Sequence, residues 1–269
     1  MSPIKERHAE AVTNDADPSV TILHIWDEIK RAAEDEVAQE PLLGGYLHDY
    51  ILRHRSFSDS LSHNLASALI YKGVTDNAVH RLMVDVLQAN PDAVEASLWD
   101  LQAISMRDPA AHGYLYPFLY YKGFRALQCW RLAHGLWKSG RKGLAYFLQS
   151  RISEVFSMDI HPAAEIGQGI FIDHGTGIVI GETSVVENDV SLLHNVTLGG
   201  TGKDVGDRHP KVRRGVLVGA GATILGNIVV GIGSKVAAGS MVLNPVPATV
   251  QWRACPPKSW VSPRRNPPH

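Results

Sequence analysis

Four short stretches of this chain hold side chains able to do chemistry. MDIHPAA at 158–164 carries Asp159 and His161, IDHGTG at 172–177 carries Asp173 and His174, GGTGKDVGDRHPK at 199–211 carries Arg208 and His209, and SLWDLQAISMRDPA holds the isolated Asp100. An imidazole is the side chain best suited to act as a general base near neutral pH, and a nearby carboxylate orients it and stabilises its cation. Asp159 and His174 lie fifteen residues apart, so a fold that repeats about every eighteen residues brings such a pair onto neighbouring coils. A guanidinium suits a carboxylate, which makes Arg208 beside His209 a candidate carboxylate clamp. A base, negative groups for an ammonium and cationic groups for a carboxylate together fit a free amino acid as substrate. Taken singly, each feature also reads as ordinary structure: a lone Asp or His as a solvated turn residue, Asp100 as a surface charge on a helix. GGTGK lacks the full spacing and the strand-loop-helix context of a phosphate-cradling loop.

The elements that must position these residues change period near residue 158. Upstream, from about 19 to 157, apolar residues recur three and four apart, as in Ile22, Ile25, Trp26 and Ile29 after a capping Ser19. Helical runs are predicted near 41–55, 58–72, 76–89, 92–105 and 117–138, broken by Lys-Gly at 72–73 and 122–123 and by Asn90-Pro91. The aromatic stretch 115–137 is expected to pack between helices. Downstream the period is six. A column opens with Ile160, Ile166, Ile172 and Ile178, continues through Ser184 and Val190 to Val196, and resumes at Val212 to run every sixth residue to Val242. Neither a helix nor an isolated strand has that period, whereas a parallel β-helix does. With three hexapeptides per coil, Ile160 is expected under Ile178 and Ile178 under Val196. About ten residues, 202–211, have no place in the ladder and are expected to leave it as one loop on the binding face.

Composition narrows the partners. The 269 residues carry a formal charge of −1 and are 45% hydrophobic, which favours neither nucleic acid nor an anionic membrane. The first twenty residues lack the apolar core of a signal peptide, so a cytoplasmic, soluble protein is expected. Two cysteines, Cys129 expected in the core and Cys255 on the surface, make no disulfide framework and have no metal-ligand spacing.

DIHPAAEIGQGIFIDHGTGIVIGETSVVEND, followed by VTLGGTGKDVGDRHPKVRRGVLVGAGATILGNIVVG, closely resembles the serine acetyltransferase family. DLQAISMRDPA and YYKGFRALQCWRLAHGLW match the helical domain of that family, so the resemblance spans about residues 20–247. It implies an α+β architecture: a flexible tail over 1–18, an α-helical oligomerisation domain over 19–157, and a left-handed parallel β-helix of hexapeptide repeats over 158–247. It also implies acetyl transfer from acetyl-CoA, a cosubstrate, to the hydroxyl of L-serine, with no metal. Residue by residue, His174 becomes the general base with Asp159 as its partner; Asp100 and Asp173 hold the serine ammonium; Arg208 and His209 hold its carboxylate; Glu182 adds a polar position. Gly200, Thr201, Ala220, Lys235 and Ala238 would border CoA in a groove between neighbouring subunits. A backbone N–H of Gly199-Gly200 would meet the charge developing on the thioester oxygen. Trimers paired into a hexamer, and feedback inhibition by L-cysteine, come with the same resemblance.

After PVPA the resemblance stops. Family members end in an isoleucine that docks into cysteine synthase, whereas 248–269 is an atypical tail closing on His269, which counts against that docking. Three other readings share parts of the pattern: a zinc enzyme using His161, His174, His194 or His209, an acyltransferase for a sugar or amino alcohol, and a scaffold without activity.

Overall fold

A computed structural model describes residues 18–70, 76–203 and 205–252. Residues 1–17, the Lys72-Gly73 pair, Cys255 and the tail from 253 to His269 lie outside the described residues. The helical part runs α1 (Pro18–Gln39), a series of short turns containing α2 (Gly44–Leu47), α3 (Phe57–Leu69), α4 (Asp76–Ala89), α5 (Pro91–Arg107), α6 (Leu115–Tyr120), α7 (Lys122–Lys138) and α8 (Lys142–Phe156). α1 already includes Pro18, so Ser19 sits inside the helix and is not its cap. Ser56 caps α3, its hydroxyl accepting the Asp59 N–H at 3.1 Å. Pro91 takes the first turn of α5, where its missing N–H goes unused, and this separates α4 from α5. The break falls at Tyr121, just before Lys122-Gly123, so the predicted run 117–138 is two helices; Gly123 sits in the first turn of α7, where a Cβ would stand 2.2 Å from the carbonyl oxygen of Ile172. The N-terminus of α7 therefore rests directly on the coil. Phe118 and Phe124 are buried among the helices, whereas the buried Trp130 reaches the coil, its Nε1 donating to the His161 carbonyl at 3.0 Å; Cys129 is buried, which pushes its thiol up to about 12.

From Asp159 onward the chain forms a left-handed parallel β-helix of three sheets. The first stacks β1 (Asp159–Ile160), β4 (Val179–Ile180), β7 (Thr197–Gly199), β10 (Thr223–Leu225) and β13 (Met241–Val242). The second stacks β2 (Glu165–Ile166), β5 (Val185–Val186), β8 (Lys211–Val212) and β11 (Val229–Val230). The third stacks β3 (Phe171–Ile172), β6 (Ser191–Leu192), β9 (Leu217–Val218), β12 (Lys235–Val236) and β14 (Gln251–Trp252). β14 pairs with β12, so the ladder runs on past residue 247.

The register corrects the expected stack. Ile160 faces Ile180, twenty residues on; Ile180 faces Leu198, eighteen on; Leu198 faces Ile224, twenty-six on. The surplus is thus split, two residues between β3 and β4 and eight after β7, where a single break of ten was expected. The reason is that two sets of side chains point inward. Ile180, Val186, Leu192 and Leu198 lie on strands, while Ile178, Ser184, Val190 and Val196 precede them by two residues, and all eight are buried. Aliphatic spacing alone passes from one set to the other unnoticed. The two-residue surplus falls on Asp173–Gly177.

Candidate active site

The turn between β3 and β4 reads Asp173-His174-Gly175-Thr176-Gly177. Along this edge the residue two before each strand of the first sheet is left-handed: Ser157, Gly177, Asn195, Gly221 and Gly239. His174, at φ 56, is an additional left-handed residue created by the surplus. That backbone costs a non-glycine side chain about 1–2 kcal/mol. The conformation turns the imidazole outward, leaving its side chain 74% exposed with Nε2 3.6 Å from Asp173 Oδ1. The His194 ring of the next coil stands edge-on at 5.7 Å. Lys122 Nζ donates to Thr176 Oγ1, tying α7 to the turn.

A cavity of about 530 Å³ opens between this turn and the helices, lined among others by Asp108, Tyr120, Tyr121, Lys122, Asp173 and His174. Asp108 is the residue the sequence did not single out. It closes α5, its N–H still donating to the Ile104 carbonyl at 2.9 Å. Tyr121 has its phenol pushed up by burial, then by the charge of Asp108 and a hydrogen bond to it. Two carboxylates and a base thus share one cavity. Asp100 does not line it. Fully buried, Asp100 pairs with Arg131 at 2.7 Å, accepts from Gln128 at 3.0 Å and accepts the Ile170 N–H at 2.8 Å. Burial pushes its carboxyl up, against the opposing pull of Arg131 and these donors. Buried, ion-paired and accepting three hydrogen bonds, it is closed off from a substrate ammonium in the cavity. The available signal was the end of the helix, where Arg107-Asp108-Pro109 stops it and a side chain is free of the packed stripe.

A second cluster sits at the far edge of the first sheet, past β4 and β7. Arg208 Nη2 lies 2.8 Å from Glu182 Oε2, and that bond holds the Glu182 carboxyl below the usual range. His209 Nδ1 accepts the Thr183 N–H at 3.2 Å and lies 2.9 Å from the Thr183 hydroxyl, which places the proton of the neutral ring on Nε2. Burial first, and then Arg208, pushes the His209 pKa down; burial does the same at His161. Asp159 also lies at this sheet, its carboxylate taken by Gln149 Nε2 at 2.7 Å, while the carboxylate beside His174 is Asp173. Of the expected CoA residues, Ala220 and Ala238 lie on the corner above His174, where the His194 and Ala220 carbonyls accept from the Gly221 and Gly239 N–H groups. Lys235 is on the adjoining β12. Gly200 and Thr201, with Gly199 before them, belong to the edge of Arg208. One chain therefore carries the expected residues as two half-sites on opposite edges of one sheet. Among the described residues no group of three or more His, Cys, Asp or Glu is placed to hold a metal ion.

The depressed imidazoles make a pH prediction. A histidine whose folded pKa lies below its unfolded value of about 6.5 takes up a proton more readily in the unfolded chain. Its contribution is fully present above that pH and is lost as the pH falls through the folded value. The melting temperature should hold from pH 8 to 7 and fall between pH 6.5 and 5, less steeply in His209→Asn, whose amide oxygen can still accept from Thr183. Equal slopes in the two proteins would refute the assignment.

Residues 25–129 match the family model described as serine acetyltransferase, N-terminal. Serine acetyltransferase of Escherichia coli strain K12 is 50% identical over 223 residues, 83% of this chain and 82% of that protein. The solved serine acetyltransferase in complex with coenzyme A from Brucella abortus strain S19 aligns with a TM-score of 0.84 at 48% identity, over 89% of this chain and 97% of that one. A serine acetyltransferase in complex with cysteine aligns with a TM-score of 0.83 at 50% identity, over 84% and 94% of the respective chains.

Proposed function

Because this chain belongs to the serine acetyltransferase family, we propose that it moves the acetyl group of acetyl-CoA to the hydroxyl of L-serine. The products are O-acetyl-L-serine and CoA, and the reaction opens the route from serine to cysteine. The observation that carries the proposal is the cavity shared by Asp108, Asp173 and His174. A serine hydroxyl is a poor nucleophile at neutral pH, so His174 takes its proton as the oxygen attacks the thioester carbonyl. Collapse of the tetrahedral intermediate breaks the C–S bond, and the departing thiolate recovers the proton from His174. Asp108 and Asp173 hold the ammonium.

Arg208, His209 and Glu182 stand at the other edge and Asp159 on β1 between the two edges, so the proposal completes each site with a neighbouring copy. That copy brings Arg208 and His209 to the serine carboxylate, Glu182 to orient Arg208, and Asp159 to stabilise the imidazolium. Such a head-to-tail contact closes into a ring of three, and the helical region over 19–157 joins two rings into a hexamer. CoA lies in the groove between copies, with Ala220, Lys235 and Ala238 on one wall and Gly200 and Thr201 on the other, where a Gly199-Gly200 N–H meets the oxyanion. L-Cysteine matches serine in size and charge, and the proposal has it occupy the same groups as a feedback inhibitor. Among the described residues no helix is long and apolar enough to cross a membrane, and the proposed location is the cytoplasm.

The test follows free CoA released from acetyl-CoA. Release should require L-serine, be absent with O-methyl-L-serine, which has no hydroxyl, and show a KM raised at least tenfold with L-serinamide, which lacks the carboxylate. Release with a sugar hydroxyl in place of serine, or none with serine, would end the proposal in favour of another acceptor or a scaffold.

A further inference from the structure

Asp108 owes its place to its neighbour. Arg107 does not line the cavity; its side chain reaches away from it onto the coil. Nη1 donates to the Gly169 carbonyl at 3.0 Å and to the Asp189 carbonyl at 3.1 Å, and Nη2 lies 3.2 Å from Asp189 Oδ1. Gly169 belongs to the corner after β2 and Asp189 to the one after β5, so a single guanidinium bridges two successive coils. The other oxygen of Asp189 is taken by Arg214 Nε at 2.9 Å, from the coil beyond. The rigid planar fork of arginine permits this arrangement, which the point charge of a lysine cannot reproduce.

α5 is held at one more point on that corner. Seven residues earlier, about 10 Å along the axis, Asp100 Oδ1 accepts the Ile170 N–H. The Asp100 anchor fixes the body of the helix. Beyond it Ser105 bonds Tyr114 within the helical part, Arg107 ties the last turn to the coil, and Asp108 Oδ1 then turns back to accept the Ala110 N–H at 2.9 Å. The Asp108 carboxylate, which shares the cavity with Asp173 and is also bonded by Tyr121, follows the last turn of α5, and Arg107 is what fastens that turn to the coil.

We propose that Arg107 is a positioning residue for the substrate ammonium: by clasping Gly169 and Asp189 it holds Asp108 against the cavity, and so sets serine affinity without touching serine. The proposal rests on the ammonium role given to Asp108 above. Reacting atoms are left where they are, since His174 is held by its own turn, so the effect falls on KM.

Steady-state kinetics on Arg107→Ala, Arg107→Lys and Asp108→Asn test this. Arg107→Ala should raise the KM for L-serine at least tenfold, with kcat within about threefold and the KM for acetyl-CoA unchanged. Arg107→Lys, keeping one or two of the contacts, should fall between it and the unaltered enzyme, and it serves alone if the alanine variant does not fold. A merely structural loss lowers the active fraction, which reduces apparent kcat and leaves KM where it was. If Asp108→Asn raises KM and neither Arg107 variant does, the positioning role is wrong and the ammonium role stands. If Asp108→Asn leaves KM unchanged, the ammonium role fails and takes the Arg107 proposal with it.

Discussion

Replacing His174 by asparagine is expected to lower kcat by about 10²–10⁴-fold while leaving the melting temperature within a few degrees. Asparagine is the informative choice because it tolerates left-handed backbone, the conformation His174 occupies at φ 56. An alanine there would add backbone strain to the loss of the base. The imidazole is mostly exposed and supports little packing, so stability should not report its removal. Substrate binding should survive too, because Asp108 and Asp173, the carboxylates proposed to hold the ammonium, remain. The measurement is CoA release at saturating serine and acetyl-CoA, alongside a thermal melt. Activity within tenfold of the unaltered protein would mean that another group takes the hydroxyl proton, with His194, 5.7 Å away ring to ring, the first to examine.

Asp100→Ala should do the opposite, destabilising the protein by roughly 3–5 kcal/mol while leaving serine recognition nearly intact. Removing the carboxylate strands Arg131, which is only 8% exposed, and leaves the Ile170 N–H and Gln128 amide without their acceptor. An uncompensated buried charge is among the few single changes able to consume a large part of a protein's stability. The melting temperature should drop by about 10 °C or more, with Asp100→Asn losing less because it can still accept from Ile170. Below the transition, the KM for L-serine should stay within about threefold. A residue holding the ammonium through a charge-assisted bond, worth about 1.5–3 kcal/mol, would instead shift KM by tenfold to a hundredfold. That outcome with an unchanged melting temperature would return Asp100 to the site.

The pair Asp100 and Asp108 shows what can be read from residue order and what cannot. Both carboxylates stand in SLWDLQAISMRDPA, and nothing in residue type separates them. What separates them is the neighbour: Arg131, thirty-one residues away in sequence, comes to meet one and not the other. The aliphatic column behaves similarly. Its six-residue period made the coil legible, yet its phase is ambiguous because two inward sets alternate, so the register and the division of the surplus emerged only with the strand partners. Arg208 and His209 could be read together from the sequence, as a candidate carboxylate clamp, because both share one loop. Their separation from His174 could not, since the width of a sheet face lies between and corner position depends on register. Lys122-Gly123 marked the break to within a residue, but not why the glycine is there. Glycine signals a break when only the helix is considered, and a close approach when the opposing Ile172 carbonyl is known.

The His174 turn departs from the repeat, as does the eight-residue surplus after β7, whereas β10 and β13 above them pair eighteen residues apart. Modules that stack by nearest-neighbour contact are interchangeable, so one more eighteen-residue unit above β10 would raise the wall by a rung of about 4.8 Å and leave the turn untouched. Lengthening the groove and altering the chemistry are therefore separate events in the history of such a chain. The height of the wall can drift by duplication, as in any solenoid, whereas the two-residue surplus that turns His174 outward belongs to one corner of the described coil.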